Sequence, residues 1–401
     1  MRPLKEQLVP IERLTREPYH WFYGYYDNQP FSDDLQYHLC HRIPFMNHMP
    51  MAGEVAELGM IRLRDNAFIP LSETLAWNFQ QGSMYQWRPG HTDEVIYNVC
   101  YGGIYRSVIQ NVKTGKKRII PMPVATVSLD GKCALSINFS RIFWFRAGYG
   151  YAQIKDPWEN KLHPKDDGVY CIDLDTGDCR LILSLDDMYK ISKPYMETED
   201  ELYRWKYLVN HINLNTDASR FLVLFRGRED KPLSKWRTFT ITANVDGSEP
   251  YLLLERLASH LHWRDPKNVM IYANTYKENK WGCYLFRDKT HEVMKYDPHD
   301  EMPGDGHCSF SPDRKYILND TYPDKEGYRS LFIYDIEKEK SHLISRIATI
   351  PHQELADIDM RCDLHPRWSR DGSMISFDSV HEGHRHIYRI RVDEIMEAIG
   401  K

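Results

Sequence analysis

Four histidines stand at matching places in this 401-residue chain. His211, His260, His307 and His365 each lie three residues before an anchor, respectively Leu214, Trp263, Phe310 and Trp368, that opens a polar turn. They recur roughly every fifty residues, a period that belongs to repeat architectures. Imidazole titrates nearest neutrality and is the commonest metal ligand, so several in one enclosed space imply a metal centre or acid–base chemistry. One lone histidine at a turn usually just hydrogen-bonds that turn. Four in phase point to a site. Cys362 and Asp363 stand just before His365, and Cys308 just after His307. Neighbours on a strand face opposite ways, so Cys308 reads as core. Cys362 is open between ligand and small buried apolar residue.

Arginines and tyrosines supply a second set. "FRGRED" carries Arg226 and Arg228, "KWRTFTI" carries Arg237, and "RAGYGYAQ" carries Arg146, Tyr149 and Tyr151. "FYGYYDNQP" adds Tyr25, Tyr26 and Asp27. Arginine offers a planar fork to a carboxylate. Tyrosine rings suit the apolar faces and hydroxyl edges of sugars. Surface ion pairs and a tyrosine-rich core are the plain alternatives.

The elements that must position these residues show in a repeated phrase, aromatic–Ser–x–Asp–Gly. It occurs as "FSDD" (31–34), "VSLDG" (127–131), "FSPDR" (310–314) and "WSRDG" (368–372), with looser copies at 87–90, 214–218 and 263–267. Each copy precedes an alternating or apolar run, and several lead to hairpin turns such as "DTGD" and "VDGS". Seven copies of about four strands each predict an all-β, seven-bladed β-propeller. A pair of β-sandwiches is the alternative. The prediction is one domain over 1–401, with a lead-in of about twenty residues and insertions at about 140–168 and 184–210. If the innermost strand of each blade follows such a turn and lines the axis, the four histidines form an arc around it.

Composition narrows the rest. The formal charge is −5 with no basic run, which argues against nucleic acid. No apolar stretch approaches the length of a membrane span. The first twenty residues lack the apolar region of a secretory signal. Eight cysteines without a close CxxC pair read as reduced thiols. The expectation is a cytoplasmic protein, monomer or homodimer.

The C-terminal half, from about residue 210, resembles the propeller-type polysaccharide lyases. The carrying stretches are "HLHW" (260–263), "GHCSFSPDRKYILND" (306–320), "DLHPRWSRDGSMISFDSVHEG" (363–383) and "RTFTITANVDGSEP" (237–250). They look most like oligogalacturonate lyase, with ulvan lyases as cousins. The first half matches only as propeller. The resemblance implies β-elimination on a uronate-containing oligosaccharide with a divalent metal, zinc or manganese. It places His307 and His365 as metal ligands, His260 as the base and Arg237 as its assistant. The chain departs at "RCDLHP": Asp363 and Met360 stand where the family has a histidine and a glutamine. His211 and Cys362 would then complete a three-nitrogen, one-sulfur set suited to zinc. Ulvan-lyase-like propellers carry such a zinc structurally, so the metal's role stays open. Tyr149 is the candidate acid, and Arg146, Arg226, Arg228 and Tyr26 are the candidate substrate contacts. Alternatives are a non-catalytic glycan- or protein-binding propeller, or a hydrolase or epimerase on acidic sugars. A hydrolase needs two carboxylates across the bond, and Asp27, Asp167 and Asp363 are not paired by phase.

Overall fold

The repeated phrase is a hydrogen-bonded turn. In four copies the serine hydroxyl donates to the aspartate two residues on, at 2.6 Å for Ser32–Asp34 and Ser128–Asp130, 2.7 Å for Ser311–Asp313 and 2.5 Å for Ser369–Asp371. The same oxygen accepts the backbone N–H five residues on, at 3.0 Å each time, from Tyr37, Cys133, Tyr316 and Met374. Serine and aspartate thus satisfy the groups that a tight turn would strand.

The computed structural model describes residues 4–229, 236–275 and 279–400. Seven four-stranded antiparallel sheets follow one another and form a seven-bladed β-propeller. Each turn follows the short first strand of its blade and leads into the second. In the sixth blade Ser309–Phe310 precedes the turn and Tyr316–Asp320, Tyr328–Asp335 and Lys340–Ala348 follow. This reverses the order expected from sequence. The lead-in also has a structural part: Glu12–Arg13 pairs with Arg389 and Tyr388 and completes the last blade beside His386–Arg391, Met374–Ser379 and Arg367–Trp368. A two-residue strand is too short to show a period.

The insertions are helical in part. Phe139–Phe145 is a helix capped by Asn138, whose side chain accepts the Arg141 N–H. It interrupts the third blade between Cys133–Ser136 and Gly168–Asp173. Leu185–Ser192 starts with a capping box, Ser184 and Asp187 each bonding the other's backbone. The strand Lys206–Leu214 takes over four residues before the expected end of this insertion.

Two compact units divide the chain. The first comprises Met1–Cys100, Val108–Arg118 and Asp297–Lys401, and the second Tyr101–Ser107 and Ile119–Tyr296. Apolar strand residues build the core of each, such as Leu318, Leu331, Ile375 and Phe377 in the first. Leu222, Leu224, Val269 and Ile271 do so in the second.

Candidate metal centre

In the first unit, Asp320 ends its strand and its carboxylate turns onto His307. The His307 backbone N–H donates to Oδ1 at 2.7 Å, and ring Nδ1 lies 2.8 Å from Oδ1 and 3.1 Å from Oδ2. A carboxylate only accepts, so the proton sits on Nδ1 and Nε2 presents its lone pair. Gly306 permits this approach: a Cβ there would come within 1.7 Å of the Asp320 carbonyl oxygen.

His365, from the following blade, places its ring centroid 4.2 Å from that of His307, at 88°. It reaches this position through a left-handed backbone, φ +43°. Such a conformation is uncommon outside glycine and concentrates at functional sites. The ring is wholly buried, and neither nitrogen has a hydrogen-bond partner among the described residues. A stranded buried polar atom costs about 1–3 kcal/mol, which a bound ion would offset. Burial first, then the nearby His307, holds the His365 pKa well below the ordinary 6.5. The ring is therefore neutral and able to ligate.

Asp363 supplies the third donor. Its Oδ2 lies 4.0 Å from His307 Nε2, while Arg329 Nη2 and Arg361 Nε approach the carboxylate at 2.6 and 2.9 Å. Burial opposes ionisation, but Arg361 and Arg329 outweigh it and hold the carboxyl well below the usual range. Donor atoms of His307, Asp363 and His365 lie within 4.8 Å of one another, and all three residues are buried. Two imidazoles and an ionised carboxylate at this spacing fit a divalent ion such as zinc or manganese.

Aromatic rings collar the group. Tyr25 lies 5.0 Å from His365, and Tyr26 lies 5.5 Å from His307. Arg367 fixes this collar from beneath, donating to the carbonyls of Gly24 at 2.6 Å and Tyr25 at 3.3 Å. Its charge is met by Asp378 at 3.1 Å, which Arg385 also binds at 2.9 Å.

This set differs from the one read from sequence. Cys362 is not part of the group among the described residues, and burial pushes its thiol up to about 12. Adjacent residues of an extended segment face opposite sides, so choosing Asp363 excludes Cys362. Cys308 is buried core, as expected. His211 belongs to the second unit, in the strand Lys206–Leu214, with its ring 5.6 Å from Tyr149 at 88°.

The second unit gathers most of the expected substrate contacts. Arg226 and Arg228 share one face of the strand Arg220–Arg228. The Arg226 guanidinium lies 5.3 Å from the Trp236 ring and donates to Asn210 at 2.5 Å and to the Ala258 carbonyl at 3.1 Å. Arg228 lies 4.8 Å from Phe145. Arg146 stacks 4.3 Å over Tyr149 and 5.7 Å from Trp236. Sequence reasoning missed Trp236, whose only signal was its place beside Arg237. Arg237 itself turns to the helical insertion, pairing with Glu197 at 2.9 Å and the Tyr195 carbonyl at 3.1 Å. His260 lies in Ala258–Trp263 with Nδ1 3.2 Å from the Ser259 hydroxyl.

No helix among the described residues is long and apolar enough to cross a membrane. No protein-family model matches the sequence, and no curated protein does. Solved structures do match. The oligogalacturonate lyase from Vibrio parahaemolyticus superposes with TM-score 0.65 at 13% identity, covering 98% of this chain and 96% of its own. An oligogalacturonate lyase in complex with manganese gives 0.63 at 14%, with the same coverage. The β-propeller domain of the Trilobed protease from Pyrococcus furiosus gives 0.52 at 10%, covering 93% and 95%. At these identities the likeness establishes the fold: this chain shares the seven-bladed propeller of the oligogalacturonate lyases over nearly its whole length.

Proposed function

We propose that this protein is a lyase that cleaves a uronate-containing oligosaccharide by β-elimination, with a divalent ion held by His307, His365 and Asp363. The observation that carries the reading is His365: a buried, neutral imidazole with two unpartnered nitrogens, set 4.2 Å from a histidine whose ring a carboxylate already orients. The manganese in the oligogalacturonate lyase complex supports the choice of ion.

The proton beside an ionised carboxylate is barely acidic. When bound, the divalent ion would supply positive charge to that carboxylate. The chain's residues do the rest. We assign His260 as the proton acceptor on its motif, histidine being the side chain that most often serves as a general base. The C5–H electrons become the C4–C5 double bond, the C4–O bond breaks, and the leaving oxygen takes a proton, for which Tyr149 is the donor. Arg226 bonds the Ala258 carbonyl and so steadies the strand that carries His260. Arg146 and Arg228 offer charge for further carboxylates, and the rings of Tyr26 and Trp236 offer faces for sugars. Arg237, held by Glu197, assists only if that pair opens.

Acidic oligosaccharides supplied with manganese or zinc should produce the rising ultraviolet absorbance of an unsaturated uronate. His260→Ala should lower that rate by at least about 100-fold. Flat traces across polygalacturonate, ulvan and glucuronan fragments with metal present would overturn the reading.

A further inference from the structure

The helical insertion of the third blade walls one side of an open pocket that the lyase reading does not use. It measures about 240 Å³ and lies wholly within the second unit. Four aromatic residues line it, Tyr105, Phe139, Trp158 and Tyr170, together with one carboxyl, Asp167. Pockets for drug-sized ligands run to roughly 300–1,000 Å³, so this one suits a small group.

Asp167 is the informative residue, because it is 1% exposed and, among the described residues, forms no ion pair, Arg141 being paired with Asp156 instead. Its carboxylate accepts the Asn138 amide at 2.8 Å and the Gly168 N–H at 2.9 Å. The nearest cation is committed elsewhere. Arg141 makes five bonds, to Asp156 at 2.9 Å and to the carbonyls of Tyr207, Trp158, Lys161 and Leu162 at 2.6 to 3.1 Å. A buried carboxylate without a counter-charge is costly, and fully buried charges are paired as a rule. Burial first, then Asp156, pushes the Asp167 pKa up to about 6 against the pull of Asn138 and Arg141. A cation entering the pocket would relieve that strain, and the ring faces attract positive charge.

We propose that this pocket binds a small organic cation of the alkylated-ammonium class. Its charge is set against Asp167, and its methyl groups against the rings of Tyr105, Phe139, Trp158 and Tyr170. A metal ion would gain little here, since the lining offers one carboxylate and no imidazole or thiol. A neutral apolar guest would leave Asp167 as it is.

The test uses the full chain and two isosteric probes, choline and its neutral analogue 3,3-dimethylbutan-1-ol, followed by calorimetry at pH 8. Choline should bind at one site, at least about tenfold more tightly than the alcohol. Asp167→Asn should remove that preference and leave the alcohol unchanged. Trp158→Ala, at a half-buried position, should weaken choline independently of Asp167. Lowering the pH through about 6 should weaken choline as Asp167 takes a proton; the charged or titratable groups facing it are Arg141, Asp156 and Tyr170. Equal affinity for both probes, no binding of choline, or a preference that survives Asp167→Asn would overturn the proposal. Should Asp167→Asn fail to fold, the wild-type preference and Trp158→Ala decide it.

Discussion

Asp320 holds His307 twice, through the backbone N–H at 2.7 Å and ring Nδ1 at 2.8 Å. That double grip sets the tautomer, and with it the nitrogen that faces His365. Outer carboxylates of this kind typically change metal affinity 10–100-fold when mutated. Asp320→Asn should therefore weaken zinc or manganese binding by about that factor while the fold persists. Competition with a chromogenic chelator measures it. Unchanged affinity would mean that Asp320 serves only the turn.

Gly306 should tolerate no side chain. A Cβ at this position would sit 1.7 Å from the Asp320 carbonyl oxygen and 2.7 Å from Asn319 Oδ1. The clash is with backbone, so strand and loop must separate. Gly306→Ala should cost at least about 3 kcal/mol in urea unfolding, in the range kept for backbone strain and overpacking. A loss below 1 kcal/mol would show that the loop yields easily.

Arg367 ties together three buried groups: the Gly24 and Tyr25 carbonyls and one oxygen of Asp378. Arg367→Met keeps much of the volume and removes the charge. The expected cost is about 1–3 kcal/mol: Asp378 keeps Arg385, but the Gly24 carbonyl loses a buried donor. The same variant should loosen Tyr25 over His365 and weaken metal binding alongside stability. Equilibrium unfolding and metal titration on one preparation test both.

Cys171 should be the most reactive of the eight thiols. Its Sγ lies 3.7 Å from that of Cys133, close enough for one thiol to hydrogen-bond the other. That hydrogen bond first, against the opposing effect of burial and with help from Arg180, draws the Cys171 pKa down to about 7. Alkylation by iodoacetamide should rise through pH 7, below the ordinary thiol range, with peptide mapping to Cys171. Cys133→Val should shift the profile upward by at least one pH unit. A profile unmoved by that change would refute the pairing.

The fold was legible because its turns demand particular side chains. Ser311 and Asp313 bond each other and the backbone, so the phrase survives in blade after blade. Two of the four phased histidines, His307 and His365, do meet. The third donor of this group stands one position from the cysteine named in sequence, since Cys362 and Asp363 look equally able on paper and only the chain's alternation separates them. Asp320 stood in a quoted stretch without its role being visible. Its grip depends on the strand end curling back over Gly306, which no spacing reports. Arg329 and Arg361 were missed altogether. A buried arginine announces itself only by the carboxylate it neutralises: Arg329 reaches Asp363 from the strand Tyr328–Asp335, and Arg361, two residues before Asp363, reads from sequence as an ordinary surface charge. Glu12–Arg13 closes the last blade with two residues, too few to carry a pattern.

Elemental analysis tests the centre most directly. Full-length protein, purified without chelator and dialysed against zinc or manganese, should retain one equivalent of metal. His365→Ala should retain well under a tenth of an equivalent at unchanged circular dichroism, and His307→Ala should do the same. Metal-free wild-type protein after that loading, or a full equivalent surviving in both variants, would contradict the site.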